Sequence, residues 1–148
     1  MTADARWFTV RWLIIADMPK VMEILEGNGI SISEIEIRAM LRQRNVIGMV
    51  AECSGLVSGV VIYALEKQAI DIHLLAVDPG QQWTGIGRGM IDKLKSKLTG
   101  SRRNLFATVS EYDVAAQMFS RAMGFRAVET LRDWDDQGDG ILFQYVRG

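Results

Sequence analysis

The chain has 148 residues, 49% hydrophobic and 24% charged, the composition of a folded domain rather than a disordered segment. Its 17 Lys and Arg nearly balance 18 Asp and Glu, for a net charge of −1. That argues against a nucleic-acid binder carried by an overall basic excess and leaves open only a local basic patch. A single cysteine excludes an intramolecular disulfide, and one cysteine with one histidine excludes an ordinary zinc site, so no metal is expected. The apolar run Trp12–Ala16 is too short for a signal core, and no stretch approaches the ~20 apolar residues of a membrane span. These readings predict one domain over residues 1–148, cytoplasmic, with neither membrane nor nucleic acid as partner.

Residues 6–15, rich in Trp, Phe, Val and Ile, predict a strand. Asp17 then offers an N-cap with Pro19 in the first turn, and Val21, Met22 and Leu25 form a helical stripe that Gly27-Asn28-Gly29 ends. Ser33 followed by Glu36 fits a capping box for a helix carrying Ile37, Met40 and Leu41 on one side. Val46 to Cys53 and Leu56 to Leu65 predict a hairpin around Ser54-Gly55, and Ala69 to Val77 a further strand. From Thr84 to Leu98, apolar residues recur at helical spacing, with Lys93, Lys95 and Lys97 read as a solvated face. Leu105 to Val109 is a short strand. Asp113 caps a helix through Met123 whose inward residues are Ala115, Met118, Phe119 and Ala122, and Gly124 stops it. Arg126 to Trp134 and Ile141 to Arg147 are strands around an Asp- and Gly-rich turn. The order β-α-α-β-β-β-α-β-α-β-β mixes hairpins with crossover units, so the expected class is α/β: a mixed sheet with helices on both faces.

The strongest local signal is Gln82-Trp83-Thr84-Gly85-Ile86-Gly87-Arg88, which follows the strand end Leu75-Ala76-Val77 and opens an amphipathic helix. Glycines let a ligand approach the backbone, and the first N–H groups of a helix lie free at its positive end, so the segment suits a phosphate or diphosphate. It is neither a dinucleotide fingerprint, since Met90 stands where a third glycine is needed, nor a P-loop. The glycines alone are equally compatible with a plain strand-to-helix connection.

Taken with the distal segment Asp113-x-x-Ala116-x-x-Phe119-Ser120-x-x-x-Gly124-Phe125, this turn resembles the acetyl-CoA motifs of the GCN5-related N-acetyltransferases (GNAT). The resemblance extends over nearly the whole chain, and within the family it is most similar to the ribosomal-protein N-alanine acetyltransferases. It implies a twisted mixed sheet splayed between its fourth and fifth strands. It implies acetyl-CoA as cosubstrate, bound by Leu75, Ala76, Val77, Gln82, Trp83, Thr84, Gly85, Ile86, Gly87, Arg88, Asp113 and Ala116. It also implies direct attack of an amine, from a small molecule or a protein N-terminus, on the thioester by a monomer or homodimer.

Ser120 stands where the family usually carries a leaving-group tyrosine, and Thr108 where the ribosomal-protein subgroup carries a glutamate base. The catalytic candidates are therefore Asp71, His73 and Ser120. Strict alternation puts Asp71 and His73 on one strand face with Leu75 and Val77, and Ile70, Ile72 and Leu74 on the other. That pair is either a proton relay or two groups near the strand's exposed start, solvated or paired with each other. The other function class on the same fold is a catalytically weak acyl-CoA-binding sensor or interaction module.

Overall fold

A computed structural model describes residues 7–82 and 84–148. The strands are β1 (Thr9–Trp12), β2 (Val46–Cys53), β3 (Leu56–Leu65), β4 (Ala69–Val77), β5 (Asn104–Ser110), β6 (Arg126–Asp135) and β7 (Gly138–Val146). The helices are α1 (Met18–Gly27), α2 (Glu34–Leu41), α3 (Ile86–Lys95) and α4 (Val114–Ala122). The strands form one seven-stranded mixed sheet in the order β1-β2-β3-β4-β5-β7-β6. Among the described residues only β4 and β5 run parallel, joined by the crossover through α3, as parallel neighbours require. Among the described residues no helix is long and apolar enough to cross a membrane.

Two apolar layers hold the sheet. On one face Ile86, Met90, Ile91 and Leu94 of α3 pack over Met49, Val61, Tyr63 and Ile70, with Met123 and Phe125 from the end of α4. On the other, Val21, Ile24 and Leu25 of α1 and Ile37 of α2 cover Val50, Val60 and Ile62. Each fully buried aliphatic side chain contributes about 1.5–3 kcal/mol. Gly59 brings α3 down onto β3: a Cβ there would lie 2.9 Å from Met90 Cε and 3.0 Å from Ile86 Cγ2.

Several expected boundaries move. The first strand is Thr9–Trp12, because Ile15–Asp17 is a 3-10 turn; Arg6 lies outside the described residues. Asp17 does not cap α1 with its side chain. Its carboxylate accepts two bonds from the Arg11 guanidinium, at 2.8 and 2.9 Å, and one from Ile14 N. The Ser33/Glu36 capping box forms in both directions. The long helix begins at Ile86, not Thr84, and α4 turns a different face inward: Met118 is 66% exposed, whereas Ser120 and Met123 are buried. Lys95 is half-buried, donating to Met123 O at 2.6 Å and lying over the Tyr145 ring.

Candidate active site

The sheet opens where β4 and β5 part. They pair only from Ala69↔Asn104 to Ile72↔Ala107. Beyond that, β4 stays bonded to β3 as far as Val77↔Gly59, and β5 stays bonded to β7 as far as Ser110↔Gly140. The facing edges of Leu74–Val77 and Thr108–Ser110 therefore carry backbone groups that do not bond each other. Such edges pair with an extended, amide-bearing ligand.

A bulge marks the point of divergence. Ile62 pairs with Leu74 and Tyr63 with Ile72, so His73 is the extra residue of β4. This corrects the face assignment from strict alternation. Ile70, Ile72, Leu75 and Val77 share the α3 side, and Leu74 packs on the α1/α2 side with Ala76. Asp71 pairs with Ala64 and so also faces the α1/α2 side, while His73 is the unpaired bulge residue. Asp71 is therefore not on the face of Leu75 and Val77.

The turn after β4 is built to hold its shape. Asp78 Oδ1 accepts from Gly80 N at 3.1 Å, and the Thr84 hydroxyl donates to Gln81 O. The Asn28 amide at the end of α1 donates to Ile24 O at 2.8 Å and to Val77 O at 2.9 Å, and Gln82 Nε2 donates to Asn28 Oδ1 at 2.9 Å. Asn28, read from the sequence only as part of a helix stop, thus ties α1, the end of β4 and the glycine turn together. Gly85 then starts α3 with φ +97°, a conformation L side chains rarely adopt, and no side chain caps the helix. The N–H groups of Ile86, Gly87 and Arg88 precede the first intrahelical bond, Gly89 N to Gly85 O. Ile86 is buried, Arg88 is exposed, and Trp83 lies outside the described residues.

Gly87 faces α4: a Cβ there would lie 3.3 Å from Phe119 Cζ and 3.7 Å from Val77 Cγ2. Asp113 caps α4, its Oδ1 accepting from Ala116 N at 3.0 Å. Ser120 is buried, and its hydroxyl donates to Ala116 O at 2.9 Å. That is the back-bond of a helical serine. On the α1/α2 side of the opening, the Trp134 ring lies over Gly140 beside Thr108. A Cβ on Gly140 would come within 2.7 Å of Trp134 Cγ and 2.8 Å of Thr108 Cγ2.

A sequence model described as "Acetyltransferase (GNAT) domain" matches residues 28–144. The chain belongs to the GNAT acetyltransferase family. The solved structures it resembles include the ribosomal-protein-S18-alanine N-acetyltransferase of Escherichia coli (TM-score 0.80, 20% identity, 94% of this chain and 93% of that one). A Salmonella typhimurium acetyl transferase that modifies the N-terminal serine of 50S ribosomal subunit protein L7/L12 superposes at TM-score 0.81 with 15% identity over 97% of both chains. A GNAT family acetyltransferase from Elizabethkingia anophelis with acetyl-CoA bound gives TM-score 0.77 and 15% identity over 95% of this chain and 98% of that one. No curated protein sequence matches the chain. The protein is an acetyl-CoA-dependent N-acetyltransferase of this family.

Within the GNAT fold, electrostatics distinguish one acid. Burial pushes the Asp71 carboxyl above the ordinary aspartate range; the charge of His73 opposes the shift and that of Glu66 adds to it. His73 itself is exposed, while Thr108 is half-buried. In the registers, Asp71 lies beside Phe106 of β5, two residues before Thr108. Asp71, His73 and Thr108 thus approach the opening from its closed end.

Proposed function

We propose that this GNAT enzyme acetylates a primary amine, and that the acceptor is a protein N-terminus. The observation that carries the reading is the parting of β4 from β5 past Ile72, directly before a turn that offers three free N–H groups. Acetyl-CoA supplies an activated thioester. Its diphosphate suits the N–H groups of Ile86, Gly87 and Arg88 in the turn that runs from Gln82, with Trp83 and Thr84 in the same segment. Its amide-bearing arm suits the unpaired edge at Leu75, Ala76 and Val77, near Ala116 at the start of α4. Asp113, already capping α4, acts by fixing that helix start.

The amine enters from the α1/α2 side, between Trp134 and Thr108. An alkyl amine titrates near about 10 and an N-terminal amine near about 8, so it arrives protonated. Thr108 cannot take that proton. His73 takes it, on the same strand as Asp71 and two residues from it. The free amine then attacks the thioester carbonyl, an amide bond forms, the C–S bond breaks, and the leaving thiolate takes a proton from water. The two relatives that act on ribosomal proteins support the choice of an N-terminus over a small amine.

The Ser120 hydroxyl bond to Ala116 O favours a second reading, an acyl-CoA-binding module of low activity, because the leaving-group position offers no free acid. Incubation with acetyl-CoA and peptides bearing free N-termini, read by mass spectrometry, separates the two. N-terminal acetylation that His73→Gln slows by about 10²-fold supports the enzyme. Tight acetyl-CoA binding without product from any peptide supports the module.

A further inference from the structure

The charges are segregated along the strand axis. At the active-site end, the loops carry Asp78, Glu111, Asp113, Asp133, Asp135 and Asp139, with Arg88 exposed at the start of α3 and Asp78 paired to Lys20. At the opposite end, the loops carry Arg44, Lys67, Arg102, Arg103 and Arg147, against the single acid Glu66. These opposite loops are hydrogen-bonded into one rim. Leu65 N donates to Asn45 O at 2.7 Å, and Asn45 Nδ2 to Glu66 Oε2 at 3.3 Å. Arg102 Nε donates to Glu66 O at 2.6 Å, Asn104 Nδ2 to Gln68 O at 3.0 Å, and Arg103 Nη2 to Arg147 O at 2.6 Å. The ion pairs among the described residues involve only Arg11, Lys20 and Arg38, so none of the rim cations is neutralised by a carboxylate.

From the end of β2 to the end of β7, the rim crosses four strand spacings, about 19 Å. It is one sheet layer thick, hence a line of positive charge rather than a disc. Arginine dominates it, and the forks of Arg102 and Arg103 are oriented by the carbonyls they bind, the arrangement suited to phosphates. Beyond its β1 end, the Trp12 ring is 57% exposed with Lys97 at 5.4 Å.

We propose that this rim docks a single-stranded nucleic acid. A linear polyanion fits a line of unneutralised arginines, and an exposed aromatic beside it provides a stacking face. The rim length suits the low end of the ~4–16 nucleotides that such sites hold. The acidic opposite end repels the same ligand, so the docked strand lies away from the acetyl-transfer cleft. A net charge of −1 conceals this polarity because the two ends cancel.

The test is fluorescence anisotropy with a labelled single-stranded uridine-rich RNA of about 12 nucleotides, in saturating CoA so that the transferase cleft is occupied. The expected result is binding that weakens with salt. The double variant Arg44→Gln, Lys67→Gln, whose side chains hold no other element in place, should weaken it roughly tenfold at low salt and lower the log–log salt slope by about 1.4, or 0.7 per lost contact. Lys20→Gln, which removes one ion-paired charge from α1, should leave it unchanged, and peptide acetylation should be unaffected by all three substitutions. Absence of RNA binding at low salt, equal binding by the double variant, or displacement by CoA overturns the proposal. So does adsorption to phosphatidylserine vesicles without RNA binding, which would make the exposed Ile14 and Ile15 a membrane contact instead. Acetylation activity is read separately, so failure here leaves the transferase reading intact, and the reverse.

Discussion

Gly85 and Gly87 are glycines for different reasons. A Cβ on Gly85 meets nothing within 4 Å, so its requirement is conformational, through φ +97°. Gly85→Ala should destabilise the protein by about 1–2 kcal/mol, the cost of left-handed backbone for an L residue, readable as a lower midpoint in urea. Ser120 and His73 divide the proton chemistry unequally. Because the Ser120 hydroxyl already donates to Ala116 O, Ser120→Ala should leave kcat unchanged; a large loss would show that the serine itself delivers the proton. His73→Gln should lower kcat/KM by about 10²-fold, altering the acidic limb of the pH profile while acetyl-CoA affinity holds. Asp71 gives an independent check in stability. Its folded carboxyl titrates above the unfolded one, so ionising it costs stability as pH rises through the folded value. Asp71→Asn should therefore raise Tm at neutral pH, and the gain should vanish in acid, where the wild-type carboxyl is neutral in both states.

At the scale of elements, the loop between β1 and α1 hangs on one ion pair. Asp17 is buried and held low by its bonds to Arg11, ahead of the bond from Ile14 N. The stability this provides is present above the unfolded aspartate range and is lost as pH falls through the depressed folded value. Asp17→Asn should cost about 2–3 kcal/mol in chemical denaturation, below the ~3–5 of a fully buried pair because the Arg11 side chain is 32% exposed. Most of the elements were legible in the sequence, since periodicity and capping residues report local geometry directly: the Ser33/Glu36 box, the β2–β3 hairpin and the α3 stripe all form. What could not be read depended on a partner strand or helix. His73 becomes a bulge only because the β3 register slips by one residue between Tyr63 and Ile62, and that shift moved Leu74 to the opposite face. The inward face of α4 was misread because Ala115 and Ala122 gave its apolar stripe no clear centre. Asn28 gave no signal as the clamp on Val77, because its partners lie 49 and 54 residues away.

For the whole molecule, the sheet and its two apolar layers open at a seam, the parting of the parallel pair, and every part of the proposed reaction is arranged around it. Acidic loops surround that end and favour approach of a cationic amine; the effect is long-ranged and screened by salt. Raising ionic strength should therefore increase KM for a basic peptide more than for a neutral one, with kcat unchanged. The central claim is that the seam and its glycine turn bind acetyl-CoA for transfer to an N-terminal amine. The most direct measurement is acetylated peptide formed from acetyl-CoA by the wild type and by Gly87→Asp, each first shown by circular dichroism to be folded. The aspartate adds bulk against Phe119 and a negative charge beside the free N–H groups of α3. The account predicts N-terminally acetylated peptide from the wild type and none from Gly87→Asp, with acetyl-CoA binding lost in calorimetry. Equal product and equal acetyl-CoA affinity in a folded Gly87→Asp protein would contradict it.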